Sequence, residues 1–226
     1  MRKQFYNPIR FAVLGAALSV CATLGYGQSF SMQIVADNDF AVFAGTATSV
    51  TTLLYQNDYS WPDQIANLST LSFDLQNGET TFYLLGMGGG GEENISGTVN
   101  DVDITTLSDV LMSSDIGPYL TGYEAQSSGG TVADGTFDVS LTDVQAAFSS
   151  LTWGPPSINS SDAVIQLASP NGYGFDFPSQ TAELFSFSTA DVGVTSTPEP
   201  LATGLLLVGA GMAMVAIRFR QSPPWL

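Results

Sequence analysis

Apolar and polar positions fall into three patterns along the chain. Near both ends the apolar residues run on with few breaks, over 11–24 and over 201–217, whereas between the ends they alternate with polar ones. Alternation with period two marks a strand with one buried face. Phe30, Met32 and Ile34 alternate with Ser31, Gln33 and Val35, and Leu71, Phe73 and Leu75 with Ser72, Asp74 and Gln76. Phe137, Val139 and Leu141 alternate in the same way with Asp138 and Ser140. Further strands are expected over 48–55, 80–85, 95–99, 163–168 and 184–188. Asn77-Gly78 predicts a hairpin between the runs at 71–76 and 80–85, because both residues tolerate positive φ. One helix is expected with Thr142 as N-cap, Asp143 in its first turn, and Val144, Ala147, Phe148 and Leu151 on one face. Residues 107–120 have room for another turn or two, stopped by Gly117-Pro118.

The sum is a mainly β fold, an antiparallel β-sandwich of jelly-roll type over residues 28–190 with one or two short helices. The glycine run at 88–91, residues 127–130 and the Ser/Thr-rich stretch at 195–197 read as loops and a flexible connection.

The two terminal runs belong to export rather than to the core. Arg2, Lys3 and Arg10 precede the first run, and Gly25 and Gly27 set small residues at the minus-three and minus-one positions of a cleavage site. Residues 1–27 thus read as a secretory signal peptide, with Gln28 opening the mature chain. The single cysteine, Cys21, lies inside that peptide, and Val20 before it is not the small residue that a lipidation site needs. The expected mature chain therefore has no disulfide. The second run, 201–217, carries no charge and at about 1.5 Å per residue spans roughly 25 Å as a helix, the short end of what crosses a hydrocarbon core. Arg218 and Arg220 follow in a basic tail, 218–226, and orient the helix with the bulk of the chain outside the cytoplasm. Ahead of it, residues 191–200 form a linker ending in Pro198-Glu199-Pro200, extended by its prolines.

The tripeptide Pro198-Glu199-Pro200, a terminal membrane helix and the Arg218/Arg220 stop together resemble the PEP-CTERM family of Gram-negative surface proteins, the substrates of exosortases. Thr197 stands where that family often has valine, and the tail runs on past the basic cluster. The resemblance covers the ends of the chain. It implies recognition by an exosortase at the inner membrane, removal of the helix, and delivery to the cell surface or to an exopolysaccharide matrix; a permanent C-terminal anchor is the plainer alternative.

Charge then narrows the chemistry. No Lys, Arg or His lies between Arg10 and Arg218, while 20 of the 21 acidic residues fall within 28–197, the remaining one being Glu199. A nucleic-acid backbone would find no cation there, and a histidine-based nucleophile system no imidazole. Zinc loses both of its common ligands. Carboxylate chemistry survives: oxygen ligation of calcium, or a two-carboxylate glycosidase.

A stretch running from Asp37-Asn38-Asp39-Phe40 through Trp61 to Gln76-Asn77-Gly78-Glu79 and the glycines at 88–91 is similar to galactose-binding-like jelly-roll modules. It lacks their asparagine-glycine after the first strand. The resemblance implies a carbohydrate-binding ancestry.

Candidate calcium ligands are Glu92, Glu93 and Asn94 after the glycine run, with Asp37 and Asp39 as a second group. For the latter, with Asn38, a solvated strand-end turn is the favoured reading, while Glu92 to Asn94 read equally as a mobile surface loop. Asp101, Asp103, Thr105 and Asp109 alternate like a calcium loop, but Thr106 stands where an EF-hand needs glycine. Trp61 and Trp153, both next to prolines or glycines, are candidate glycan contacts, core packing being the blander reading. Tyr173, Phe175 and Phe177 read as strand core. The expected function is that of a non-catalytic surface or matrix protein, associated with exopolysaccharide or biofilm; the alternatives are a carbohydrate-binding module, calcium-dependent or not, and the glycosidase.

Overall fold

The computed structural model describes residues 28–193 apart from 69, 92, 129–131, 133–136 and 160–168, and gives the backbone alone for Trp61, Pro62, Ala125 and Ser128. The expected signal peptide, the sorting motif, the run at 201–217, Arg218, Arg220, Glu92 and the strand at 163–168 lie outside the described residues. Among the described residues no helix is long and apolar enough to cross a membrane.

In chain order the strands begin with β1 (Gln28–Asp37), β2 (Asp39–Thr46), β3 (Ser49–Gln56), β4 (Leu71–Leu75), β5 (Thr81–Met87) and β6 (Glu93–Val99). They continue with β7 (Val102–Asp103), β8 (Leu111–Ser113), β9 (Trp153–Gly154), β10 (Ser157–Asn159), β11 (Gly174–Phe177) and β12 (Ala182–Ser188). Three short helices are α1 (Trp61–Ala66), α2 (Tyr123–Ser128) and α3 (Leu141–Ala147). The strands form two antiparallel sheets. The first runs β10-β11-β6-β1-β4 with β7 on β6, and the second β3-β2-β5-β12-β8-β9.

The sheets pack through one shared core. Phe30, Met32, Ile34, Leu75, Ile95, Val99, Phe175 and Phe177 of the first meet Phe40, Val42, Phe82, Leu84, Phe185 and Phe187 of the second. Rings cross the interface directly: Phe30 meets Phe82 edge-on at 4.9 Å, and Phe175 stacks on Phe185 at 5.3 Å. The expected alternation holds in β1, whereas every residue of β5 is buried. The second sheet has cover on its outer face too. There Ala41, Phe43, Tyr83, Leu85 and Leu184 pack against Ile116, Leu120, Tyr123, Phe137, Val139, Val144, Ala147 and Leu151 from the helical segments.

Four expectations need correction. Asn77-Gly78 makes a turn, with Gly78 at φ +95°, but β4 pairs with β1 while β5 pairs with β2 and β12. The turn therefore carries the chain from one sheet to the other instead of closing a hairpin. Glu79 secures the crossing: its carboxylate accepts from the Gln76 amide at 2.7 Å and from the Thr51 and Thr52 hydroxyls. Burial alone would raise this carboxyl, and the three hydrogen bonds outweigh it to hold the group below its usual range.

Residues 137–140 alternate in burial yet form no strand. Their partner is a side chain: Gln56 Nε2 donates to the Phe137 carbonyl at 2.9 Å, and the Val139 amide donates to Gln56 Oε1 at 3.1 Å. One amide side chain stands in for a neighbouring strand, which hydrophobic periodicity cannot show. The following helix, α3, is capped two residues earlier than expected, by Ser140 in place of Thr142, and the Ser140 hydroxyl accepts from Asp143 N. Within 107–120 the chain forms strand β8, and Gly117-Pro118 opens a 3-10 turn where a stop was expected, proline being well suited to a first helical position.

Gln56→Ala should cost about 1–3 kcal/mol, because it strips both backbone partners from a segment whose Phe137 and Val139 side chains are buried. Hydrogen exchange at Val139 should quicken well beyond that at Leu84, and equal protection of the two amides would show that Gln56 is dispensable.

Candidate functional site

The helical cover of the second sheet stops at Phe148 and Trp153, and beyond them lies a groove of about 530 Å³. That volume falls within the range of small-molecule sites. Its floor is set by strand register: Tyr83 of β5 lies directly opposite Ser186 of β12, which lies opposite Leu111 of β8. Thr81 and Ser188 form a second pair alongside. Side chains directly opposed in a ladder share a face; Tyr83 is buried beneath Phe148 and Trp153, so this row offers the groove the hydroxyls of Ser186 and Ser188 and the apolar side chain of Leu111.

Trp153 forms the wall. It sits in β9, opposite Ser113 of β8, with its ring 5.5 Å from Phe148 and 6.2 Å from Tyr83. Phe148 in turn meets Tyr83 edge-on at 5.5 Å. Three rings thus brace one another, and the Tyr83 hydroxyl is fixed by donating to the Thr46 carbonyl. Burial pushes that phenol up to about 12, so it remains a neutral donor at any physiological pH. Trp153 is half-buried, one part serving the helical layer and the other lining the groove. Trp153 thus packs against the core on one side and borders the groove on the other. Asp109, in the turn before β8, and Asp191, in the turn after β12, line the groove and are exposed. Leu111 is 44% exposed, unusual for a leucine on a sheet.

Sequence reading found Trp153 and noted Asp109 in another role; it missed Tyr83, Leu111, Ser186 and Asp191. Their juxtaposition depends on the pairing of β5, β12 and β8, which are far apart in sequence. The backbone of Trp61 opens α1.

The proposed calcium residues meet in part. Asp37 and Asn94 lie directly opposite each other on β1 and β6, and Glu93 is near enough to Asp37 to feel its charge. Asp39 faces other partners, accepting from the Phe40 amide and Asn57 Nδ2, both at 2.7 Å. It is wholly buried and Asn38 nearly so, which corrects the solvated-turn reading. Among the described residues no group of three or more acidic side chains is arranged to hold a metal ion.

The glycine run is a cradle for Glu93. Gly90 and Gly91 take φ of +136° and +123°, and the Gly90 amide donates to Glu93 Oε1 at 2.6 Å. A Cβ on Gly88 would come within 2.8 Å of the Glu93 carboxyl carbon, so only glycine lets that side chain fold in. Asp101 and Asp103 are structural. Asp101, at φ +64°, lies with Asn100 in the tight turn joining β6 to β7, and Asp103 accepts from Thr105 and Ser169. Tyr173 is exposed, while Phe175 and Phe177 are core as expected.

Desolvation raises three buried carboxyls: Asp39 and Glu93 each to about 7, and Glu183 to about 8. Asp37 adds to the shift at Glu93, and Asp115 and Glu93 to that at Glu183. Folding then holds protons that the unfolded chain releases near pH 4, so stability is greatest below that pH and declines as pH rises through about 7 to 8. The melting temperature should be several degrees lower at pH 8.5 than at pH 5. Glu183→Gln should raise it at pH 8.5 with little effect at pH 5, more than Asp138→Asn does on the surface. A melting temperature that rose over this interval would contradict the assignment.

No family model matches the chain, and no curated protein and no solved structure matches it either.

Proposed function

We propose that this is an exported, exosortase-sorted protein of the cell surface or extracellular matrix, which acts without catalysis and holds exopolysaccharide in the groove walled by Trp153. The groove carries the reading. Sugars offer apolar ring faces that stack on aromatic side chains and hydroxyls that pair with serine, threonine and aspartate; Trp153, Ser186 and Ser188 supply part of that set from strands, and Asp109 and Asp191 the rest from the adjoining turns. The sorting half rests on Pro198-Glu199-Pro200, the apolar run at 201–217 and Arg218/Arg220. The chain crosses repeatedly between its two antiparallel sheets, as a sandwich does.

The non-catalytic part is supported by where the protonated carboxyls lie. A glycosidase needs one carboxyl held protonated in its cleft. Among the described residues the carboxyls raised toward neutrality are Asp39, Glu93 and Glu183, and none of them lines the groove.

The full chain, purified in neutral detergent, should bind its host's exopolysaccharide saturably. Trp153→Ala should weaken binding roughly tenfold, in the range of one lost aromatic anchor, and Ser186→Gln, which fills the floor, should do likewise. Unchanged affinity in both folded variants would refute the groove as the binding site. For sorting, Glu199→Ala should leave the chain at its full C-terminal length in the host, and ordinary maturation of that variant would refute exosortase recognition.

A further inference from the structure

We infer that the groove selects a polysaccharide bearing free amino groups, a cationic amino-sugar polymer, over neutral or acidic glycans. The inference rests on the groove reading above and adds the chemistry of the occupant.

Charge sets the direction. The groove is flanked by Asp109 and Asp191, and no Lys, Arg or His occurs from residue 11 to residue 217. A uronate, sulfate or phosphate entering it would meet two carboxylates and find no side-chain cation, within a domain carrying 20 acidic residues. Only a ligand that brings its own positive charge turns that field to advantage.

The other acids differ in what they serve. Glu79, Asp103 and Asp115 place their oxygens on backbone amides and hydroxyls of the fold, at distances near 3 Å or below. Asp109 and Asp191 instead stand exposed at the groove, one on each side of β12 and β8 in sequence. An ammonium offers three donors to such acceptors, and charge-assisted hydrogen bonds are about twice as strong as neutral ones.

The aromatic wall agrees. Tryptophan presents the best π face for a cation, so an amino sugar stacked on Trp153 gains from its ring faces and from its charge. The hydroxyls of Thr80, Thr81, Ser186 and Ser188 donate and accept alike and suit any glycan. Discrimination therefore falls to the two carboxylates.

The test uses the full chain in neutral detergent and three tetrasaccharides: β-linked glucosamine, its N-acetylated counterpart, and a uronic acid oligomer. The free-amine oligomer should bind roughly fivefold to tenfold more tightly than the acetylated one at low salt, an advantage that shrinks as salt is added. The uronic oligomer should bind most weakly. Asp109→Asn with Asp191→Asn should erase the preference while keeping affinity for the acetylated oligomer. Asp58→Asn with Asp138→Asn removes the same charge from exposed positions that do not line the groove, and should retain the preference. Equal or tighter binding of the acetylated or uronic oligomer would overturn the inference, as would a preference that survives the groove variant or is lost equally in the control. Tetralysine binding as tightly, and unaffected by Trp153→Ala, would overturn it in favour of a cationic peptide. Failure of all three oligosaccharides to bind would instead sink the groove reading itself.

Discussion

Between Arg10 and Arg218 this chain contains no positively charged side chain, and the fold is arranged around that lack. Carboxylates elsewhere are commonly offset by lysine or arginine. Here each must be hydrated, hydrogen-bonded to a neutral donor, or protonated. All three outcomes occur. Glu79 and Asp103 gather amide and hydroxyl donors, and so fix a crossing between sheets and the start of a 3-10 turn. Asp39, Glu93 and Glu183 are buried deeply enough that desolvation favours the neutral acid. Asp109 and Asp191 stay in water beside the groove.

The same layering that buries the acids creates the site. The second sheet is covered on its inner face by the first sheet and on much of its outer face by helical segments, so its central strands are mostly apolar and largely buried. Where the outer cover ends, the edge of Trp153 and the hydroxyls of Ser186 and Ser188 are left half-buried beside one another. Trp153 belongs to both regions, which ties the groove to the packing of the helical layer. The shape of the groove then follows from Phe148 and Tyr83, which hold the indole in place.

Local signals in the sequence predicted local structure well. Period-two alternation located β1 and β4, and the further strands expected over 48–55, 80–85, 95–99 and 184–188 correspond to β3, β5, β6 and β12. What failed was anything depending on which strand pairs with which. Asn77-Gly78 has the residues of a tight turn, and nothing nearby reveals that the two flanking strands enter different sheets. The segment at 137–140 alternates as a strand would, and only the long-range amide of Gln56 explains how its backbone is satisfied. The groove was legible at Trp153 alone, since its other walls converge from strands separated by tens of residues. The acidic stretch at Asp37 to Asp39 misled for a related reason: polarity predicts exposure, and here Asn57 and the Phe40 amide compensate its burial.

The central claim is that this cation-free domain keeps two carboxylates for a positively charged ligand and employs others within the fold. Carbon-13 spectra of the aspartate and glutamate carboxyls, followed while the free-amine tetrasaccharide is titrated into the full chain, test this directly. The account predicts saturable shifts at Asp109 and Asp191 with Glu79, Asp103 and Glu183 unmoved. Small shifts spread evenly over all exposed carboxyls would reduce the interaction to general attraction by an acidic surface and contradict it.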